Sequence, residues 1–147
     1  MAKAFSLPQA ERINSKKQID RLFRGGGSKA MTVAPLRVVY MTGERGENDR
    51  EPQAQMMVSV PKRYFKRAVK RNRIKRMVRE AYRLNKHILD NALANNTERN
   101  VAMCFIWTAD RLLDTARVEE RMVGLLTRMA EKIAENGNRH KQKGDGE

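Results

Sequence analysis

A stretch of 25 residues, Lys62 to Lys86, holds 12 of the chain's 31 Lys and Arg but only one of its 17 acids, Glu80, a local charge of +11. Its apolar residues recur at helical spacing. With Ile74 at the centre and 100° per residue, Met77, Val78, Ala81, Tyr82, Leu84, Ile88 and Leu89 share one arc. Asn72, Arg73, Lys75, Arg76, Arg79, Arg83 and Lys86 share the opposite one. A helix divided in this way must lay its apolar arc on a core and leave its cationic arc open.

The whole chain carries +14 with a pI near 10.5, so the other 122 residues contribute only +3. A run of charge is usually a solvated face, but such faces interleave acids as i, i+4 partners, and this one omits them. The like-charge repulsion calls for an anionic partner. Phosphates along a nucleic acid suit a rigid row of guanidinium groups, which bind them bidentately while counterions are released. Arg outnumbers Lys on the stripe, which favours that geometry. A membrane-surface or calmodulin-target helix would also be basic and amphipathic, but would present bulky apolar anchors, whereas this apolar arc suits packing against strands.

The surrounding chain supplies those strands. Ile19, Leu22 and Phe23 at i, i+3 and i+4 predict a short helix over Ser15 to Phe23, ended by Gly25, Gly26 and Gly27. Met31 to Met41 is β-favouring, interrupted only by Pro35, and predicts a strand. Gly43 to Gln53 is polar with two Gly and one Pro and reads as a hairpin loop leading to a second strand, Gln55 to Val60. After the basic helix, Val101 to Trp107 reads as a strand buried on both faces. Val118, Met122, Leu125, Leu126, Met129 and Ile133 predict a final helix, with Glu119 and Glu120 near its start.

At 147 residues the chain suits one domain, read as 1–135, followed by a polar tail, 136–147, expected to be disordered. Cys104 stands alone, which excludes an intrachain disulfide and a Cys-rich metal cluster. Met1 to Gln18 lacks the apolar core of a signal peptide, and no apolar run is long enough to span a bilayer, so the expected setting is cytoplasmic. His87 and His140 have no neighbouring acid or Cys pattern for a metal site or a triad, and Trp107 reads as core. Glu119 and Glu120 diverge by 100° on a helix and make a poor acid/base pair.

From Lys70 to Tyr82 the residues run KRNRIKRMVREAY. This run resembles the Arg-Asn-Arg signature of the bacterial ribonuclease P protein family, in which Ile, Lys, Arg, two apolar positions, Arg and an acid or amide follow. The order of elements agrees, and the resemblance covers roughly Leu7 to Ile133. It implies an α+β domain, a single αβββαβα sandwich like the second domain of ribosomal protein S5, with a left-handed crossover joining parallel strands. Only three strands are clear in the sequence, so the fourth would come from splitting the stretch after Lys29 or from residues near the hairpin loop.

The resemblance also implies an RNA-binding subunit of ribonuclease P that assists a catalytic RNA, with its own Mg²⁺, in removing 5′ leaders from precursor tRNAs. No catalytic group, metal or cofactor would belong to this chain. The matched positions imply that Arg71, Asn72, Arg73, Lys75, Arg76 and Arg79 contact the catalytic RNA or phosphates beside the scissile site. They imply that Phe23, Tyr40 and Ser59 line a cleft for the leader, with Ile19 where many members carry Phe. The alternative is a ribosomal or other structural RNA-binding protein using the same fold. A DNA-binding helix fits less well, because no helix-turn-helix partner precedes the basic one.

Overall fold

Alternating side chains and one proline set the first half of the sheet. In a computed structural model, which describes residues 7, 9–13, 19–20, 28–44, 52–95 and 99–145, the stretch after Lys29 is two strands. β1 (Lys29–Val33) and β2 (Leu36–Glu44) pair antiparallel, from Lys29 opposite Tyr40 to Val33 opposite Leu36. The single strand predicted over Met31 to Met41 is therefore a hairpin. Pro35 has no N–H to give a ladder, and the chain reverses there. Its carbonyl accepts hydrogen bonds from the Thr108 N–H at 2.8 Å and Oγ1 at 3.0 Å, which fastens the turn to the residue just past the Trp107 that lies opposite Leu36 in the sheet.

β3 (Ala54–Ser59) and β4 (Arg99–Trp107) complete a four-stranded sheet in the order β1-β2-β4-β3. β4 lies antiparallel to β2 and parallel to β3. The predicted hairpin over Gly43 to Gln53 is thus corrected: β2 and β3 are not neighbours, because β4 is inserted between them. The reason is burial. Val101, Met103 and Phe105 on one face of β4 and Cys104 on the other are all at most 2% exposed, and a strand apolar on both faces is favoured in the middle of the sheet, where the covering layers are deepest.

The registers stack side chains in rows across the sheet. On one face Tyr40, Met103 and Met56 form a row, and Val38, Phe105 and Val58 the next. These residues belong to the main core, covered by the helices. On the opposite face Val39, Cys104 and Met57 align, flanked by Met41, Ala102 and Gln55 and by Arg37, Ile106 and Ser59.

The basic segment forms α1 (Ala68–Asn85) and, after a break at Lys86, α2 (His87–Ala94). Ile74, Val78, Ala81 and Tyr82 are buried as the period requires, and Leu89 and Leu93 continue the core from α2. Leu84 does not join them and is 48% exposed. It lies at the edge of the arc, and Asn85 is buried in its place. The Asn85 amide donates to the Ala81 carbonyl at 2.9 Å, competing with the backbone ladder at the point where the helix stops.

α3 (Thr115–Asp145) packs Val118, Met122, Leu125, Leu126, Met129 and Ile133 into the core. Its start is capped by Asp114, whose Oδ1 accepts from the Arg117 N–H at 2.9 Å, rather than by Glu119 and Glu120, which lie beyond the first turn. The backbone is helical to Asp145. Extending an existing helix carries no nucleation cost. Of the helix predicted over Ser15 to Phe23, Ile19 and Asp20 are helical and the rest lies outside the described residues.

One core group invites a direct test. The Tyr82 ring tilts against Phe105 at 5.9 Å, yet its buried hydroxyl has no hydrogen-bond partner among the described residues. Removing that oxygen while keeping the ring removes an unpaired polar atom. Tyr82→Phe is expected to hold or raise the melting temperature, by the equivalent of about 1 kcal/mol or less. A fall would mean that the hydroxyl is satisfied after all.

Candidate nucleic-acid interface

Arg71 sets up the interface rather than simply joining it. Its Nη1 donates to the carbonyls of Phe65 at 2.7 Å and Lys66 at 2.8 Å, so the first signature arginine holds the basic approach loop against the helix start. In that loop the Arg63 guanidinium sits over the Tyr64 ring, 4.8 Å from its centroid. Lys62, Arg63, Lys66 and Arg67 are all exposed. The loop is thereby an extension of the cationic face of α1.

On the helix itself Asn72, Arg73 and Arg76 are exposed, and Lys75 and Arg79 are half-buried. The C-terminal end of the stripe is different. Arg83 is engaged by Glu80, with Nε donating to Oε2 at 3.0 Å, and Lys86 Nζ lies 2.9 and 3.1 Å from the two carboxylate oxygens of Glu11. Among the described residues, the ion pairs of α1 and its terminal Lys86 stop there. The open charge runs from Lys62 to Arg79, whereas helical spacing alone distributes it as far as Lys86.

Lys75 and Arg79 lean toward an open cleft of about 230 Å³ at the β3 edge. Met56, Met57 and Val58 from β3 line it, with Arg12 and Ile13 from the N-terminal segment opposite. Burial, then the nearby Arg12 and Arg76 charges, push the Arg79 pKa below the usual arginine value, which marks a convergence of cations. The adjoining outer face of the sheet carries an apolar cluster: Ile13 and Cys104 are buried there, with Ile19, Met41, Met57, Ala102 and Ile106 packed around them. Burial raises the Cys104 thiol to about 12, so it is a neutral packing group.

The three expected leader-cleft residues fare differently. Ser59 is half-buried on the outer face, in the row of Ile106 and Arg37 and two residues beyond Met57. Tyr40 is not at the cleft. It is 2% exposed in the main core, and burial raises its hydroxyl pKa. The strand period explains the correction, since Tyr40 shares a face with Leu36 and Val38, beneath the helices. Phe23 lies outside the described residues. Ile19 is half-buried in the outer-face cluster, on the same side of the sheet as Met57. Arg12 was not among the expected residues, because neither periodicity nor a motif distinguishes a lone arginine in Gln9 to Ile13.

The arrangement is chemically a binding surface. It offers guanidinium and ammonium donors beside an apolar floor, and among the described residues no three His, Cys, Asp or Glu side chains are grouped to hold a metal ion. Nor, among those residues, is any helix long and apolar enough to cross a membrane.

Comparison with known proteins agrees with this geometry. Residues 7–130 match the family model described as ribonuclease P. The chain is 44% identical over 128 residues to a ribonuclease P protein component of Porphyromonas gingivalis, covering 86% of this chain and 88% of that one. It is 36% identical over 107 residues to the corresponding protein of Chlorobaculum tepidum, covering 71% and 68%. Among solved structures it resembles the RNase P protein from Thermotoga maritima, with a TM-score of 0.59 at 20% identity over 80% of this chain and 96% of that one.

Proposed function

The chain belongs to the ribonuclease P protein family, and from that premise we propose that the open cationic face of α1 grips the catalytic RNA while the adjoining cleft takes the single-stranded 5′ leader of precursor tRNA. As a ribonuclease P protein it is a subunit of an endoribonuclease in which catalysis lies with the RNA, and that RNA is its partner. The observation that carries the division of labour is the exposure of Asn72, Arg73 and Arg76 on one side of α1, while Lys75 and Arg79 turn into the cleft on another.

The two surfaces suit different nucleic-acid geometries. Exposed guanidinium groups on a rigid helix match phosphates of a folded RNA and hold them bidentately. A single strand exposes bases as well as phosphates. Its bases can lie on the apolar floor formed by Met57 and its neighbours while its phosphates face Lys75 and Arg79. Such a floor reads no particular base, which is what a surface serving many precursors requires. Mg²⁺ held by the RNA supplies the metal chemistry in this reading, and the setting is the cytoplasm.

Reconstitution tests it. The full chain, combined with a ribonuclease P RNA, is expected to promote precursor cleavage at Mg²⁺ concentrations where the RNA alone is slow. The chain with Mg²⁺ and precursor but no RNA should cleave nothing. Cleavage by protein shown to be free of RNA would overturn the assignment of catalysis, and RNA binding without any effect on cleavage would favour a purely structural RNA clamp.

A further inference from the structure

The N-terminal segment forms a strap along the open edge of β3. The Ile13 N–H donates to the Met56 carbonyl at 2.9 Å, Arg12 bridges Met56 in parallel, and Gln55 Nε2 donates to the Ala10 carbonyl at 2.9 Å. At its other side Glu11 is held by Lys86 at the end of α1. Three consecutive residues are therefore fastened, Glu11 to a helix and Arg12 and Ile13 to a strand. That fastening holds Arg12 against the cleft, where it faces Lys75 and Arg79.

The Arg12 guanidinium is an unusual occupant of that position. Its Nε is buried and finds no hydrogen-bond partner among the described residues, and its charge acts repulsively on Arg79. A buried donor without an acceptor and a pair of converging cations are each unfavourable. One anion between them would relieve both. The cleft is open, and the half-buried Met57 and Val58 offer apolar surface along its β3 side, which suits a chain with phosphates on one edge and bases on the other.

We propose that Arg12 is a phosphate-binding residue of the cleft, which together with Lys75 and Arg79 clamps one backbone phosphate of the single-stranded leader. This rests on the reading that the leader occupies the cleft, and adds a residue from outside the signature helix. The strap and the helix then form two walls of one site. The Glu11–Lys86 pair is its hinge pin, so Lys86 positions the strap rather than contacting RNA.

The test uses holoenzyme reconstituted from the full chain and a ribonuclease P RNA, with precursor and mature tRNA binding measured across a range of monovalent salt. Arg12→Ala is expected to weaken precursor binding roughly tenfold, the scale of one lost charge-assisted hydrogen bond. It should lower the log–log salt slope by about 0.7, the value for one phosphate of a single strand. Mature tRNA binding and the melting temperature should hold, and Arg12→Lys should keep the slope. Equal losses for precursor and mature tRNA, or an unchanged slope, would overturn the role of Arg12. If the unaltered holoenzyme shows no preference for precursor over mature tRNA, the leader reading itself fails and the proposal fails with it.

Discussion

Replacing Arg73 and Arg76 together with alanine is expected to weaken binding of the ribonuclease P RNA by about two orders of magnitude or more, with no loss of fold. Both side chains are exposed on α1, and neither is in an ion pair among the described residues. Each can therefore meet a phosphate without first giving up a protein partner. A hydrogen bond to a charged group contributes about 1.5–3 kcal/mol, so two such contacts amount to at least ~3 kcal/mol. Each phosphate contact also releases counterions, and losing both should flatten the log–log salt dependence by nearly 2 units, about 0.9 for each. Alanine is the strongest helix former, so α1 should persist. Binding titrations at several salt concentrations decide the matter. A drop in affinity with an unchanged slope would mean that these residues act through packing and not through phosphates.

Tyr40→Ala is expected to act on stability instead. The side chain is 2% exposed in the row of Met103 and Met56, and truncating a buried aromatic to alanine costs about 3–5 kcal/mol through lost burial and the cavity left behind. For a chain of this length that corresponds to a fall of roughly 10 °C in melting temperature. It is a large part of a typical total stability of ~5–15 kcal/mol. Binding of precursor and mature tRNA should decline together, in step with the folded fraction. Selective loss of precursor binding with an unchanged melt would return Tyr40 to the cleft.

The contrast between these two variants shows where sequence reasoning reached the site and where it did not. The stripe on α1 was legible because a helix carries its own frame. The 100° step places Ile74 and Arg73 on their respective sides whatever the helix packs against. The exceptions lie at the edges of that frame. Leu84 is at the margin of the apolar arc and exposed, while Arg83 and Lys86 belong to the cationic arc but are engaged by Glu80 and Glu11. Helical position sets the direction of a side chain and says nothing of a partner supplied by residue 11. Arg71 makes the same point, since its bonds to Phe65 and Lys66 depend on how the approach loop folds back.

Strands carry half of such a frame. A period of two separates Tyr40 from Val39 and Met41, but which set faces the helices is decided only when the sheet is covered. The cleft assignment of Tyr40 therefore required the tertiary structure to correct it. The four-strand count followed the same course. Pro35 marked a possible interruption, and its conversion into a turn depends on β2 finding both β1 and β4 as neighbours.

By itself, then, the sequence determined the amphipathic basic helix, the two-faced burial of β4 and the core face of α3, because each is a property of spacing within one element, while the α+β class is what the resemblance carried by the signature on that helix implies. The tertiary structure alone decided that β4 separates β2 from β3, that Tyr40 is core, and that Arg12 meets Arg79 across a cleft. Those are relations between elements far apart in the chain. Their energies come from pairing, burial and charge proximity that exist only after the chain has closed on itself, so no local period can encode them.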